Sequence, residues 1–462
     1  MTSGSASPAP TRLLGPQYRR LSVAIVAAIV FVAFEAMAVA TAMPTAVPAL
    51  DGLALYAFAF SGFFTTSLFA MVVSGEMCDR SGPLKPLLLG AAAFSVGLVI
   101  AGAAQSMWPF LAGRATQGLG AGLVIVALYV VVGRTYPEDM RPRIFAAMAA
   151  AWVVPSIVGP LVAGLLTDHA SWRWVFLGIA PLVLIPVALA LPSVRTVDGP
   201  PPGGSRVREG RKRFALATAV GVGMLQYAGS RTDSVAVVLC VLAVALVLPT
   251  LPRLLPPGTM RLRRGLPTVV AMRGILAGAF FGTEAFLPLL LVSERGLSST
   301  LAGLSLTGGA LGWAVGSWYQ GRSTTVAPRY MLIRIGAGLV ALAISSVTLV
   351  LVPAVPVVVT MLGWVLGAFG MGMSIASISV VLFQLSTVED HGANSAALQV
   401  SDALFAAVFV GLAGTIFGSG HGDVPGDVSV PAWVYLVIIA AMTALALFGS
   451  WAAGRIRIPA AR

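Results

Sequence analysis

The sequence predicts an all-α polytopic membrane protein of fourteen crossings: two six-helix bundles with a helix pair between them. Three observations carry that reading. Of 462 residues, 58% are hydrophobic and only 10% charged, where a soluble domain carries about 25% charged residues. The apolar residues fall in separate runs of the roughly 20 residues that a membrane-crossing helix needs. The basic residues sit between those runs and crowd into alternate loops.

The runs cover 21–43, 54–74, 84–104, 108–132, 143–166, 174–192, 214–229, 234–252, 267–292, 299–319, 330–352, 355–385, 396–418 and 431–453. Each is expected to be a helix, because in lipid every backbone group must find its partner within its own segment. Before the first run lies a polar tail ending in Arg19 and Arg20. The run behind it is too long for a signal peptide and lacks a small-residue cleavage site, so it reads as an uncleaved first helix.

Loop charge sets the orientation, since cytoplasmic loops are enriched in Lys and Arg. With the N-terminus inside, 24 of the 29 basic residues are cytoplasmic, and only Arg173, Arg231 and Arg295 lie outside. Arg114 and Arg273 fall within runs. The weakest run is 214–229, which is short and holds Gly221, Gly223, Gln226 and Tyr227. A single crossing through 214–252 would invert every later loop, so this segment crosses twice or not at all. The polar stretch Gly229-Ser230-Arg231-Thr232-Asp233 reads as a turn between two crossings, giving fourteen; twelve is the alternative.

The expected organisation is a cytoplasmic tail at 1–20, a six-helix bundle at 21–192 and a cytoplasmic linker at 193–213. Two inserted helices at 214–252 and a cytoplasmic loop at 253–266 lead to a second bundle at 267–453 and a tail at 454–462. The linker is rich in Pro and Gly, then basic, which suits a flexible tether followed by a contact with anionic lipid. The bundles show faint self-similarity. Phe31 and Glu35-Ala36 align with Phe280 and Glu284-Ala285, and Gly118, Gly120 and Gly122 align with Ala368, Gly370 and Gly372. Paired six-helix repeats are a design of transporters that alternate access.

Short motifs narrow the class. After the second run the chain reads Gly75-Glu76-Met77-Cys78-Asp79-Arg80-Ser81-Gly82-Pro83-Leu84-Lys85. Gly75 and Gly82 permit a sharp turn. Asp79 precedes the third helix, whose N-terminus favours negative charge, leaving Arg80 and Lys85 to hold a partner helix or lipid phosphate. The fourth run carries Arg114 ahead of Gly118, Gly120 and Gly122; the fifth carries Gly159-Pro160 and Gly164, followed by Ser171-Trp172-Arg173-Trp174. The first carries Glu35, then Met43-Pro44.

Together these stretches resemble the signatures of the major facilitator superfamily, and among its members the fourteen-helix drug:proton antiporters. The resemblance covers the first bundle in sequence and the second mainly in layout: Gln320 stands where the loop signature would repeat an Asp. It departs at Met37 and Ala40, where those antiporters have Thr and Asn, at Pro155 in place of a Gly, and at Glu35 in place of an Asp. It implies two bundles of the major facilitator type, a conformational loop made by Gly75, Asp79, Arg80, Gly82 and Lys85, and an antiporter motif at Gly159, Pro160 and Gly164.

Ionisable groups inside a membrane are costly and face a cavity or a partner. Three carboxylates qualify: Glu35, Glu284 and Asp402. Counting about 1.5 Å per residue places Glu35 and Arg114 at a similar depth. A carboxylate that alternately meets and leaves an Arg can take up and release a proton; a fixed pair would only lock two helices. Glu35, Arg114, Glu284 and Asp402 are the candidate proton-coupling residues. Arg273, near the start of its run, is expected to snorkel, and Trp108, Trp172, Trp174 and Trp433 to lie in the interfacial belt.

The expected function is proton-coupled export of amphipathic or lipophilic compounds, with protons and membrane lipids as the other partners. No cofactor, metal or nucleic acid is expected. His169, His391 and His421 match no ligand spacing, Cys78 and Cys240 are not placed for a disulfide, and no catalytic constellation appears. The expected location is the inner or plasma membrane, as a monomer with both termini cytoplasmic. The alternatives are a lipid or natural-product exporter, an uncoupled facilitator or, more remotely, a polytopic enzyme or receptor. A cysteine placed at Ser230, in a background lacking Cys78 and Cys240, should react with an impermeant maleimide added from outside. Labelling only from the cytoplasm would mean that 214–252 does not cross.

Overall fold

The computed structural model describes residues 13–137, 140–197, 211–229, 234–322, 329–387, 391–419 and 430–456. The predicted turn at 230–233, most of the linker and His421 lie outside them. Among the described residues there is no strand, and seventeen α-helices follow one another. They are α1 (Arg19–Ala46), α2 (Tyr56–Ser81), α3 (Leu84–Ala103), α4 (Met107–Thr135), α5 (Arg141–Ala150), α6 (Val153–His169), α7 (Arg173–Leu177) and α8 (Leu184–Val194). Then come α9 (Arg211–Gly229), α10 (Ser234–Leu254), α11 (Leu266–Glu284), α12 (Leu287–Arg295), α13 (Ser299–Arg322), α14 (Arg329–Ser346), α15 (Val357–Gln384), α16 (His391–Ser419) and α17 (Ala432–Ala452).

Every predicted apolar run is helical, and ten described segments are long and apolar enough to cross a membrane. Three runs expected as single helices are broken. The fifth divides into α5 and α6 around Ala151 and Trp152, because Pro155 has no N–H to return to the Ala151 carbonyl. The sixth divides into α7 and α8 across a turn holding Gly178 and Pro181. The ninth divides into α11 and α12 at Ala285–Phe286, where Pro288 leaves the Glu284 carbonyl without a helical donor. The stretch 75–81, read as a loop, is the last turns of α2. The turn comes at Gly82, whose φ of 80° only glycine adopts without strain.

The two halves repeat one packing scheme. In the first, α4 lies against both α2 and α3; in the second, α15 lies against both α13 and α14. The glycine ladders that align in sequence sit at these contacts. A Cβ on Gly120 would fall 2.6 Å from the Gly90 carbonyl oxygen of α3, and one on Gly370 would fall 2.6 Å from the Gly336 carbonyl oxygen of α14. Lipid is as apolar as leucine, so helices here associate by close backbone approach, and small residues permit it.

The halves meet along two seams, α2 with α16 and α6 with α13. The α9–α10 pair packs on the first seam through α9, which touches both α2 and α16, while α10 has the least buried apolar stretch of the ten. Trp108, Trp174 and Trp433 are exposed near helix ends, as expected of an interfacial belt. Trp172 is not: it is buried against Phe110 and Phe176, with the Arg173 guanidinium 4.4 Å from its ring centre.

Replacing Gly120 with Val should abolish a monodisperse, cooperatively melting product, because no side chain can relieve a collision with backbone. Gly75 has nothing within 4 Å of a would-be Cβ and sits in helix. Gly75→Ala should therefore hold or raise the melting temperature, for a gain in stability of up to about 1 kcal/mol.

Candidate functional site

The structure brings Glu35 and Arg114 together. Glu35 lies midway along α1 and Arg114 early in α4; both are buried, at 1% and 3% exposure. The Arg114 guanidinium donates to Glu35 Oε1 and to Gln117 Oε1, and its Nε donates to the Ala59 carbonyl of α2 at 3.0 Å. Its Cζ lies 4.8 Å from the centre of the Phe63 ring. Gln117 passes the chain onward, donating to the Gly97 carbonyl of α3 at 3.1 Å. One cation thus ties α1, α2, α3 and α4. A charge in a low-dielectric interior needs such pairing to persist. The second carboxylate oxygen, Glu35 Oε2, is buried and has no hydrogen-bond partner among the described residues.

Asp402 is also paired, and its partner corrects an expectation. Arg273 does not snorkel. Seven residues into α11, it turns inward and donates from Nε and Nη2 to the two Asp402 oxygens of α16, at 2.9 and 3.0 Å. The fork of a guanidinium matches a carboxylate in this way. The α11–α16 interface brings them close: Ser401 donates to the Val270 carbonyl at 2.8 Å, and Phe405 fills the space beside Gly274. Tyr129 of α4 lies within electrostatic reach of both Arg273 and Asp402.

Glu284 stands apart. It is the last residue of α11, partly exposed although Gly282, Thr283 and every residue from Ala285 to Leu291 are buried. It has neither hydrogen bond nor ion pair to another described residue. Phe281, one turn earlier on the same face, meets Phe64 of α2 with ring centres 5.8 Å apart.

The residues of the loop signature are helical apart from Gly82, and their contacts differ from expectation. Arg80 pairs with Glu76 at 2.6 Å within α2, and Lys212 at the start of α9 reaches the same Glu76 oxygen at 3.1 Å. Arg134 of α4 donates to the Cys78 carbonyl at 3.1 Å, and its charge reaches Asp79. Asp79 therefore answers a cation on α4 rather than the start of α3. Lys85 is exposed in the first turn of α3.

The fifth-helix motif lies on a seam between the bundles. A Cβ on Gly164 would meet the Thr300 backbone of α13 at 2.6 Å, and a Cβ on Gly303 would meet the Pro160 carbonyl at 2.8 Å. Gly159 faces Phe34 and Met37 of α1. Around this seam one end of the molecule is tied shut. Asp168 Oδ2 accepts from the Thr300 N–H at 3.0 Å, Thr45 and Ser299 hydroxyls lie 3.1 Å apart, and Tyr56 donates to the Ala285 carbonyl at 2.8 Å. Phe286 and Phe417 surround the Tyr56 ring. Sequence reasoning named neither Tyr56, Asp168 and Thr300 nor Gln117; only Gln117, three residues beyond Arg114 on the same helix face, carried a readable signal.

Two bundles, an ion pair inside each (buried in the first, partly buried in the second) and closure at one end are the architecture of a membrane transporter. The chain belongs to the Major Facilitator Superfamily, whose family model matches residues 25–410. It is 27% identical over 468 residues to an uncharacterized MFS-type transporter of Mycobacterium tuberculosis, covering 93% of this chain and 65% of that one. The chain thus spans somewhat under two thirds of that relative's length. A probable multidrug-efflux transporter of the same organism is 28% identical over 204 residues, 44% of this chain and 43% of its own. In fold the chain is similar to an auto-inhibited POT-family peptide transporter, with a TM-score of 0.70 at 15% identity over 95% of this chain and 98% of that one.

Removing one member of the Arg273–Asp402 pair strands a charge in the bilayer. Arg273→Met should lower stability by roughly 2 kcal/mol or more, read as melting temperature in detergent. The double variant Arg273→Met, Asp402→Leu should recover most of that loss. A double variant as unstable as the single one would mean that the pair does not account for it.

Proposed function

We propose that the protein is a proton-coupled antiporter that exports amphipathic or lipophilic compounds across the cell membrane by alternating access. The single observation that carries the reading is the buried Glu35–Arg114 pair. Glu35 sits at the acidic position of the antiporter first-helix motif, and one of its oxygens has no partner among the described residues. When α1 and α4 shift against each other, Arg114 can be held by Gln117 and the Ala59 carbonyl while Glu35 takes a proton. When they return, the guanidinium displaces that proton. Glu284 and Asp402 are further coupling groups in this scheme.

In the proposed topology both termini are cytoplasmic, and α9 and α10 add two crossings to the twelve of the bundles, making fourteen. The tied end, where α1 finishes and α13 begins, is then the outer one, and the bundles separate toward the cytoplasm to admit substrate. Residues 75–85 hold the cytoplasmic ends of α2 and α4 in register during the exchange, and Gly159, Pro160 and Gly164 keep the outer seam close. The protein acts as a monomer among lipids, without cofactor or metal, and is not an enzyme. The multidrug-efflux name of one relative supports the substrate class. Export of a lipid or natural product is the second reading, favoured by the apolar lining at Met37 and Ala40 of α1.

Glu35→Gln keeps shape and hydrogen bonding but cannot titrate. In proteoliposomes it should lose uphill flux driven by a pH gradient while retaining substrate exchange at equal pH. Uphill flux at the wild-type rate would move the coupling role to Glu284 or Asp402. Substrate flux insensitive to any pH gradient in the wild type would make the protein an uncoupled facilitator.

A further inference from the structure

Gln226 occupies an unusual place. It lies near the end of α9, in the pair of helices that belongs to neither bundle, and it is 7% exposed. Its amide nitrogen donates to the Thr65 hydroxyl of α2 at 3.3 Å and to the Ala407 carbonyl of α16 at 3.1 Å. A carboxamide has two N–H donors, and here one goes to each bundle. The fit is close: a Cβ on Gly411 of α16 would fall 2.7 Å from Gln226 Cγ. One turn further, Gly229 of α9 lies against Thr415 of α16, and the Tyr227 ring meets Trp108 of α4 at 6.0 Å.

The amide oxygen tells the other half. Gln226 Oε1 is buried with no hydrogen-bond partner among the described residues, beside a small cleft lined by Ala57, Ser61, Gly411 and Gly414. Helix packing alone does not call for this. A leucine of similar volume would fill the seam without burying an unanswered acceptor, which is costly in an apolar medium. Two satisfied donors and one orphaned acceptor make a tie that holds the arrangement seen here and leaves it incompletely satisfied.

We infer that Gln226 is a positioning residue for alternating access: a clamp through which the central pair holds α2 to α16 and sets the balance between the two states. The inference rests on the alternating-access reading but not on proton coupling or on the substrate. The central pair is then a brace across the moving seam. When the bundles rock, α2 and α16 part at this depth, and at least one of the two bonds must break. The orphaned oxygen keeps the difference between states small, so the clamp releases within ordinary turnover.

The test measures conformation, not transport. Spin labels at Ala49 and Ala432, in a background lacking Cys78 and Cys240, report the separation of the bundles at the tied end; both positions are exposed. Without substrate or gradient, Gln226→Leu should raise the ratio of long to short distances about fivefold, the equivalent of one net hydrogen bond. Thr65→Val, which removes only the α2 acceptor, should shift the ratio the same way by less. Unchanged distance distributions in both variants, with unchanged melting temperatures, would overturn the clamp. A shift in both, in a protein that shows no flux, would uphold the clamp and count against the transport reading instead. Should Gln226→Leu fail to fold, Thr65→Val alone decides: a shift supports the clamp and no shift refutes it.

Discussion

A guanidinium inside a bilayer must be answered on every side by protein, because neither water nor lipid will do it. Arg114 meets that demand with four neighbours: a carboxylate of α1, a carbonyl of α2, an amide of its own helix and the face of Phe63. Three of the four lie on α1 and α2, elements that would otherwise be free to slide. The glycine ladder of α4 begins one turn later and permits the approach to α2 and α3 that these contacts require. The arrangement of the first bundle thus follows from neutralising one charge at close quarters.

The second bundle solves the same problem with other residues. Its internal cation is Arg273, its carboxylate Asp402, and the pair joins α11 to α16 instead of α1 to α4. The residue that aligns with Glu35 in the faint repeat is Glu284, which pairs with no described cation and sits where α11 breaks. The two halves therefore hold charge in different places while sharing the glycine-mediated packing of α4 and α15.

Much of this was legible in the sequence because lipid imposes a coarse grammar. Apolar runs had to be helices, and the depth of Glu35 and Arg114 followed from a fixed rise per residue. What failed to show was anything that depends on which face meets which neighbour. Arg273 looked like a snorkelling end residue because α16 is over a hundred residues away in sequence. Asp79 and Gly75 looked like turn residues, since Gly and Asp usually end helices; the α2 helix continues because Gly82 supplies the turn and Arg134 offsets Asp79. Trp172 looked interfacial by position and is buried by an aromatic cluster drawn from α4 and α7. The breaks at Pro155 and Pro288 were readable in principle, but a hydropathy run does not register a missing N–H.

The ion pairs have a further consequence. Among the described residues, none of them joins one six-helix bundle to the other; the bundles are tied by hydroxyls, carbonyls, one carboxylate on Thr300 and stacked rings. Separating opposite charges in a medium of low dielectric constant is the most expensive motion available to such a molecule. The Glu35–Arg114 and Arg273–Asp402 pairs each close within one bundle, so a separation of the bundles would leave both intact. In the proposed alternating-access scheme the barrier between states is set by these short-range contacts, so ionic strength, which screens charges, should have little purchase on the rate of opening.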